Sequence, residues 1–98
     1  MIEVRQTDEF RDWLRNLRDD QAVARIGSRL RRLEQGNPGD VKSLGAALME
    51  MRIDCGPGYR VYYVRRGAVV VVLLCGGDKG TQEKDIVRAR ALAAKLKE

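Results

Sequence analysis

The first third of the chain places apolar residues at helical spacing in two successive segments. A short alternation of apolar and polar residues over 2–6 predicts a strand before them. Thr7 then provides a capping signal for the first apolar stripe, which consists of Phe10, Trp13, Leu14 and Leu17. Asp19 and Asp20 can cap a second helix, which ends near Gly36 and whose stripe consists of Val23, Ile26, Leu30 and Leu33. The pattern predicts one strand followed by an αα-hairpin.

The second half of the chain changes to the two-residue period of β-strands. A turn-rich connector over 36–40 leads to three predicted strands, which span residues 47–54, 59–65 and 68–75. A last helix begins near Thr81, and its inner face consists of Ile86, Ala89, Ala93 and Leu96. The predicted order is βααβββα. It describes an α+β fold with a small, mostly antiparallel sheet, the αα-hairpin packed on one face and a C-terminal helix.

Strand parity predicts charged side chains on the sheet face away from the helices. In the strand near residue 50, the odd-numbered residues face the helices, whereas Glu50, Arg52 and Asp54 face away. The same parity in the next strand puts Arg60 and Tyr62 on that second face. Two adjacent arginines repel each other, so one interpretation is that they share a phosphate. The other is that Glu50 and Asp54 neutralise them in a ladder of ion pairs.

A glycine-rich segment, Gly76–Thr81, follows the last predicted strand and leads into the C-terminal helix. Backbone N–H groups at a helix N-terminus can hold an anion, glycines let it approach closely, and Lys79 adds a positive charge. The spacing of a Walker loop is absent from the segment. It is therefore either an ordinary turn or, beside the arginines one strand away, part of a shared anion site.

The composition limits the chemistry that such a site can use. The chain of 98 residues has 19 Lys and Arg against 14 Asp and Glu, a formal net charge of +5, and no histidine. Ser-His-Asp catalysis, imidazole acid–base catalysis and histidine metal sites are therefore excluded. The arginine excess favours nucleic acid or an acidic protein as the partner. A basic ridge on the second helix is either a contact surface or a solvated face, and it consists of Arg25, Arg29, Arg31 and Arg32.

The apolar segments also bear on compartment and domain number. Hydrophobic residues make up 44% of the chain, which is enough for one core, so a single domain over residues 1–98 is expected. The longest apolar run, residues 68–75, is too short to cross a membrane, and no signal core precedes it. We therefore expect a cytoplasmic protein in which Cys75 is a buried hydrophobe and Cys55 a loop thiol. No membrane partner, metal or cofactor is expected.

Three segments, taken together, carry a resemblance to a known family. They are Met49–Ile53, Gly56–Tyr63 and Leu73–Lys79, the last followed by Gln82, Asp85, Ile86 and Ala89. In this combination the chain resembles, over nearly its whole length, the RelE/ParE superfamily of type II toxins and specifically its HigB-like branch of addiction module killer proteins. The resemblance implies a RelE-like fold and a metal-independent endoribonuclease that cuts mRNA, usually on the ribosome. It also implies a cognate antitoxin, typically a helix-turn-helix protein encoded adjacently.

The resemblance further implies roles for individual residues in an attack of the ribose 2′-OH on its own 3′-phosphate. Arg60 would stabilise the phosphorane, and Arg52 would hold the scissile or an adjacent phosphate. Lys79 would act as a cation and as a base or acid. Tyr59 or Tyr62 would stack on an unstacked base.

The identity of the general base stays open among Tyr62, Lys79 and Glu50, because the catalytic histidine and the C-terminal tyrosine of some relatives have no counterpart in this chain. Further contacts with RNA or phosphate are expected at Gly77, Asp78 and Gln82. Two other functions fit the same fold, since a fold does not determine function. They are a ParE-like toxin that poisons DNA gyrase without nuclease activity and an inactive co-repressor that binds an antitoxin.

Overall fold

Five strands form one mixed sheet in the computed structural model, which describes residues 1–96. The elements in chain order are β1 (Glu3–Gln6), α1 (Asp8–Arg15), α2 (Asp20–Glu34), β2 (Val41–Gly45), β3 (Leu48–Ile53), β4 (Tyr59–Arg66), β5 (Val70–Asp78), a 3₁₀ turn (Lys79–Thr81) and α3 (Gln82–Lys95). The strand order across the sheet is β1-β5-β4-β3-β2. β1 runs parallel to β5, and all other neighbours are antiparallel. The predicted α+β fold is confirmed.

Strand β2 is an addition to the predicted order, which becomes βααββββα. β2 pairs with β3 through a two-residue turn at Ala46 and Ala47, since Gly45 lies opposite Leu48. Both alanines have positive φ angles, 51° and 66°. Such turns usually carry Asn or Gly at these positions. The sequence Ala46-Ala47 therefore contains no turn signal, and the hairpin escaped prediction.

The first helix is fixed to the sheet through its cap. The Thr7 hydroxyl oxygen accepts a 3.0 Å hydrogen bond from the Phe10 N–H and donates a 2.7 Å bond to the carbonyl of Leu74. The second helix begins at Asp19, whose carboxylate accepts from the Ala22 N–H. Both predicted caps are confirmed, and Thr7 links α1 to strand β5.

The sheet has a hydrophobic core on each face. Helices α1 and α2 cover one face, where the buried residues are Phe10, Ile26, Leu33, Met51, Ile53, Val61, Tyr63, Val71 and Leu73. Helix α3 packs on the other face, where they are Leu48, Tyr62, Val64, Val72, Leu74, Cys75 and Ala89. The expectation that the second face lies away from all helices is therefore wrong, because α3 covers part of it. No helix among residues 1–96 is both long enough and apolar enough to cross a membrane.

A β-bulge at Leu74 changes the parity of β5. Tyr62 pairs with Cys75, whereas Tyr63 pairs with Leu73, so Leu74 is an extra residue in the ladder. Leu74 and Cys75 consequently both join the core under α3. Bulges of this kind redirect the side chains that follow them. Here the bulge determines which helix each residue of the next segment meets.

Candidate functional site

The two arginines predicted to be adjacent are directly opposed on β3 and β4. Arg52 pairs with Arg60, and Arg60 pairs in turn with Gly77 on β5. Side chains in such positions have Cβ atoms about 5 Å apart. The Arg60 side chain is 13% exposed and the Arg52 side chain 42%. Arg52 and Arg60, the arginine pair, therefore form one cationic site on the sheet face that carries α3.

Each member of the arginine pair has a donor without an acceptor. The Nε–H groups of Arg52 and Arg60 are both shielded from solvent and have no hydrogen-bond partner among residues 1–96. Arg52 Nε lies 3.6 Å from Asp40 Oδ1, which is an ion pair but too long for a hydrogen bond. Unsatisfied buried donors are rare in native proteins and often mark functional positions. The phosphate oxygens of an RNA backbone are suitable acceptors for both groups.

Glu50 lies on the same sheet face as the arginine pair, two residues before Arg52 on β3, and is 1% exposed. Its Oε1 lies 3.5 Å from Arg60 Nη1. Its Oε2 accepts a 3.2 Å hydrogen bond from the Tyr62 hydroxyl and a 2.7 Å bond from Gln82 Nε2. The ion-pair interpretation is thus correct in part, since Glu50 pairs with Arg60. Arg52 takes Asp40 as its partner in place of the predicted Asp54.

The structure corrects the role expected of Tyr62. The side chain is fully buried beneath α3, so it is not available to stack on a base. Burial, with the negative charge and hydrogen bond of Glu50, raises the pKa of Tyr62 far above its usual value. A tyrosine in this environment stays protonated and donates to Glu50. It is therefore not suited to act as a general base.

Tyr59 lies on the opposite face of the sheet from the arginine pair. Its hydroxyl is 3.4 Å from Asp19 Oδ2, and its ring meets Trp13 edge to face with centroids 6.3 Å apart. Partial burial, together with Asp19, raises the pKa of the Tyr59 hydroxyl. Tyr59 is thus separated from the arginine pair by the sheet, and its stacking on a base stays a prediction.

The glycine pair belongs to β5 and not to a loop. A Cβ atom at Gly76 would lie 2.4 Å from Trp13 Cε3, and one at Gly77 would lie 1.8 Å from Asp85 Oδ2. Both glycines are required by close packing, one on each face of the sheet. The predicted loop is therefore wrong over residues 76–78, which belong to β5, and only Lys79–Thr81 forms a turn before α3.

Side chains within the segment hold the 3₁₀ turn that precedes α3. The Asp78 carboxylate accepts a 2.8 Å hydrogen bond from the Gly80 N–H, and the Thr81 hydroxyl donates to Asp85 at 2.5 Å. Gln82, expected to contact RNA, donates to Glu50. Lys79 is exposed, and its Cβ lies 3.5 Å from the position that a Cβ at Gly58 would occupy. Lys79 thus places an exposed cation at this end of the sheet.

Part of the basic ridge on α2 has a structural role that the sequence did not indicate. Arg29 donates to the Arg52 carbonyl at 2.6 Å, and Arg25 donates to the Asp54 carbonyl at 3.2 Å. Arg31 and Arg32 are exposed. Two of the four arginines therefore attach α2 to the end of β3.

One residue outside the predicted set, Asp85, also belongs to the site. Asp85 lies against Gly77 on the α3 face, and its charge contributes to the raised pKa of Tyr62. In the sequence, Asp85 is part of the segments that carry the family resemblance, but nothing there indicated its contact with Gly77. Within residues 1–96, no cluster of three Cys, Asp or Glu side chains is suitably placed to hold a metal ion.

The comparisons with known proteins place this site inside a matched region. A family model described as "Phage derived protein Gp49-like (DUF891)" matches residues 12–97. An uncharacterized protein of Haemophilus influenzae strain Rd is 48% identical over 95 residues, which cover 97% of this chain and 96% of the relative. No solved structure gives a significant match. The matched region contains the arginine pair, Glu50, Lys79 and Gln82.

Proposed function

The chain belongs to the Gp49-like family of phage-derived proteins, which is a RelE-like toxin family, and from this membership we propose that it is the toxin of a type II toxin–antitoxin system. More specifically, we propose a HigB-like endoribonuclease that cuts mRNA on the ribosome and stops translation in the cytoplasm. Its partners are mRNA, the ribosome and a cognate antitoxin, which we propose is a helix-turn-helix protein encoded adjacently.

The observation that carries the proposal is the arginine pair with its two unsatisfied Nε–H groups. Adjacent arginines repel each other, and Glu50 pairs with Arg60 while Asp40 lies 3.6 Å from Arg52 Nε, which leaves both Nε–H groups without an acceptor among residues 1–96. A phosphodiester supplies a negative charge and several acceptor oxygens, and it suits the planar fork of arginine. This arrangement supports an RNA phosphate as the ligand.

The proposed reaction needs no group outside the chain and the RNA. The ribose 2′-oxygen attacks the adjacent phosphorus as its proton passes to a base, and the bond from phosphorus to the 5′-oxygen breaks as that oxygen gains a proton. The products are a 2′,3′-cyclic phosphate and a free 5′-hydroxyl. Negative charge grows on the phosphorane oxygens, where Arg60 stabilises it while Arg52 holds a neighbouring phosphate.

Lys79 is the candidate for proton transfer that the geometry favours. Tyr62 and Glu50 are buried and engaged with each other. Lys79 is exposed and follows Gly77, the residue paired with Arg60, by two positions. Its flexible side chain can approach a phosphodiester bound at the arginine pair.

The test is mapping of RNA 5′ ends after the protein is expressed without an antitoxin. We expect arrest of protein synthesis and discrete new mRNA ends with the wild type, and neither with Arg60→Ala. Arg60→Lys keeps a positive charge beside Glu50, so it guards against a loss of folding and should also lose most cleavage. Arg31→Ala removes the same charge from the exposed face of α2 and should behave as the wild type.

Two results would overturn the proposal. A folded Arg60→Ala protein with full toxicity would remove the arginine pair from the mechanism. Growth arrest with a DNA-damage response and intact mRNA would point to a gyrase poison instead of a nuclease.

A further inference from the structure

Glu50 is a buried carboxylate that joins three elements of the fold. It projects from β3 and meets Arg60 and Tyr62 on β4 and Gln82 on α3. Burial of an isolated carboxylate is strongly unfavourable, and these donors offset that cost. Glu50 is therefore a buried charge next to the arginine pair, and its contacts hold β3, β4 and α3 in one arrangement.

The geometry does not suit Glu50 as a general base. Its Oε2 already accepts from Tyr62 and Gln82, and its Oε1 faces Arg60 Nη1. A general base must come within hydrogen-bond distance of the proton that it removes, directly or through one water molecule. With 1% exposure, Glu50 does not reach a ribose held above the arginine pair.

Glu50 contacts Arg60 on one edge of the guanidinium only. The contact is made by Nη1, while the Nε–H of the same group has no acceptor among residues 1–96. A guanidinium is planar, so a fixed contact at Nη1 restricts the direction of the remaining N–H groups. The negative charge of Glu50 also reduces the repulsion between Arg60 and Arg52.

We infer that Glu50 is a positioning residue, which orients the Arg60 guanidinium toward the phosphate and is itself held by Gln82 and Tyr62. This inference rests on the proposed function. The positioning role predicts different effects on binding and on catalysis. Without the charge of Glu50 the arginine pair still attracts RNA, but the Arg60 guanidinium loses its fixed direction. Catalysis depends on such directions more strongly than binding does.

The experiment compares Glu50→Gln with the wild type in single-turnover cleavage of an mRNA, both free and bound to ribosomes. We expect the maximal rate constant to fall on the order of 10- to 100-fold, because a displacement of about 1 Å can cost this much. The Kd for the same RNA with a 2′-deoxy residue at the cleavage site should stay within about threefold of wild type or become tighter. A merely structural loss would lower the rate constant and raise the Kd together.

A control variant and a second test variant accompany Glu50→Gln. Glu83→Gln removes an equal charge from an exposed position next to Gln82 and should change neither quantity. Gln82→Leu removes the α3 donor from a partly exposed position, so it tests the same chain of contacts if Glu50→Gln does not fold. We expect it to lower the rate constant by roughly threefold to tenfold without weakening RNA binding.

The outcomes distinguish this inference from the function on which it rests. If the wild type cleaves and neither variant has a lower rate constant, the positioning role is wrong while the nuclease stands. If Glu50→Gln removes the acid limb of the pH–rate profile and does not merely lower its amplitude, Glu50 is the base, and the positioning role is again wrong. If the wild type does not cleave free or ribosome-bound RNA, both proposals fall.

Discussion

Helix α2 holds the backbone of Arg52 directly, because Arg29 Nη1 donates a 2.6 Å hydrogen bond to the Arg52 carbonyl oxygen. Arg29 Nη2 donates to the carbonyls of Pro38 and Asp40, both at 3.1 Å. Burial lowers the pKa of Arg29, and the charge of Asp40 opposes this effect. The guanidinium remains charged at physiological pH. One helix residue therefore fixes both the segment before β2 and the strand that presents the arginine pair.

Loss of these contacts should destabilise the protein measurably. Arg29→Ala is expected to lower the free energy of unfolding by about 1–3 kcal/mol, because backbone carbonyls lose a charged donor. Arg32→Ala, on the exposed face of the same helix, should remain within about 0.5 kcal/mol of the wild type. Urea unfolding followed by circular dichroism measures both values. Equal unfolding midpoints for the two variants would contradict this role of Arg29.

Gly76 and Gly77, near the end of β5, should be intolerant of any side chain. Gly76→Ala would place a Cβ atom 2.4 Å from Trp13 Cε3, and we expect it to cost about 1–3 kcal/mol of stability. Combining it with Trp13→Leu should cost less than the sum of the two single changes, since the residues are in contact. Thermal unfolding of the three variants tests this coupling, and strict additivity would argue against it.

Another glycine provides a control of opposite sign. Gly27 lies within α2, and a Cβ atom there would meet only the flexible end of Arg31 at 3.4 Å. Gly27→Ala should therefore raise the free energy of unfolding by about 0.5–1 kcal/mol through the lower entropy of the unfolded chain. A loss of stability at this position would show that the space around α2 is tighter than the structure indicates.

Strand parity predicted the arginine pair correctly, because the alternation of β3 and β4 is determined locally. The burial of Tyr62 was not predictable by the same argument. The apolar stripe of α3 predicts that the helix packs against the sheet, but it does not specify which face of the sheet the helix contacts. The sequence also hides the bulge at Leu74, since β5 is apolar on both faces and a shift of one residue leaves its pattern unchanged. Long-range packing decided these features.

The thiol of Cys75 makes stability depend on alkaline pH. Burial, and secondly the charge of Asp85, raises the pKa of Cys75 to about 12. The pKa in the unfolded chain is about 8.5, so the unfolded state releases its proton first as the pH rises. The stability that comes from keeping this thiol neutral is complete below about pH 8.5 and is lost progressively as the pH rises toward 12.

Cys75→Ala should accordingly flatten the loss of stability between about pH 8.5 and 11, at the cost of a smaller core side chain. Urea unfolding at several pH values measures the slope. Cys55→Ala changes the half-buried thiol and serves as the control. In native protein, a thiol reagent should modify Cys55 and leave Cys75 unreacted until the protein unfolds. Identical pH slopes for the two alanine variants would contradict the assignment to Cys75.

The turn between β2 and β3 offers a gain of stability. Ala46 and Ala47 both occupy the left-handed region, which costs an L-residue with a Cβ atom about 1 kcal/mol or more. Replacing them by Asn-Gly supplies residues that adopt this conformation readily, so the double variant Ala46→Asn, Ala47→Gly should gain about 1–2 kcal/mol. Ala91→Gly, at an exposed position of α3, should instead lose about 1 kcal/mol. A loss of stability in the turn variant, like that of the control, would contradict the prediction. It would mean that the extra conformational entropy of glycine in the unfolded chain outweighs the strain relieved at the two positive φ angles.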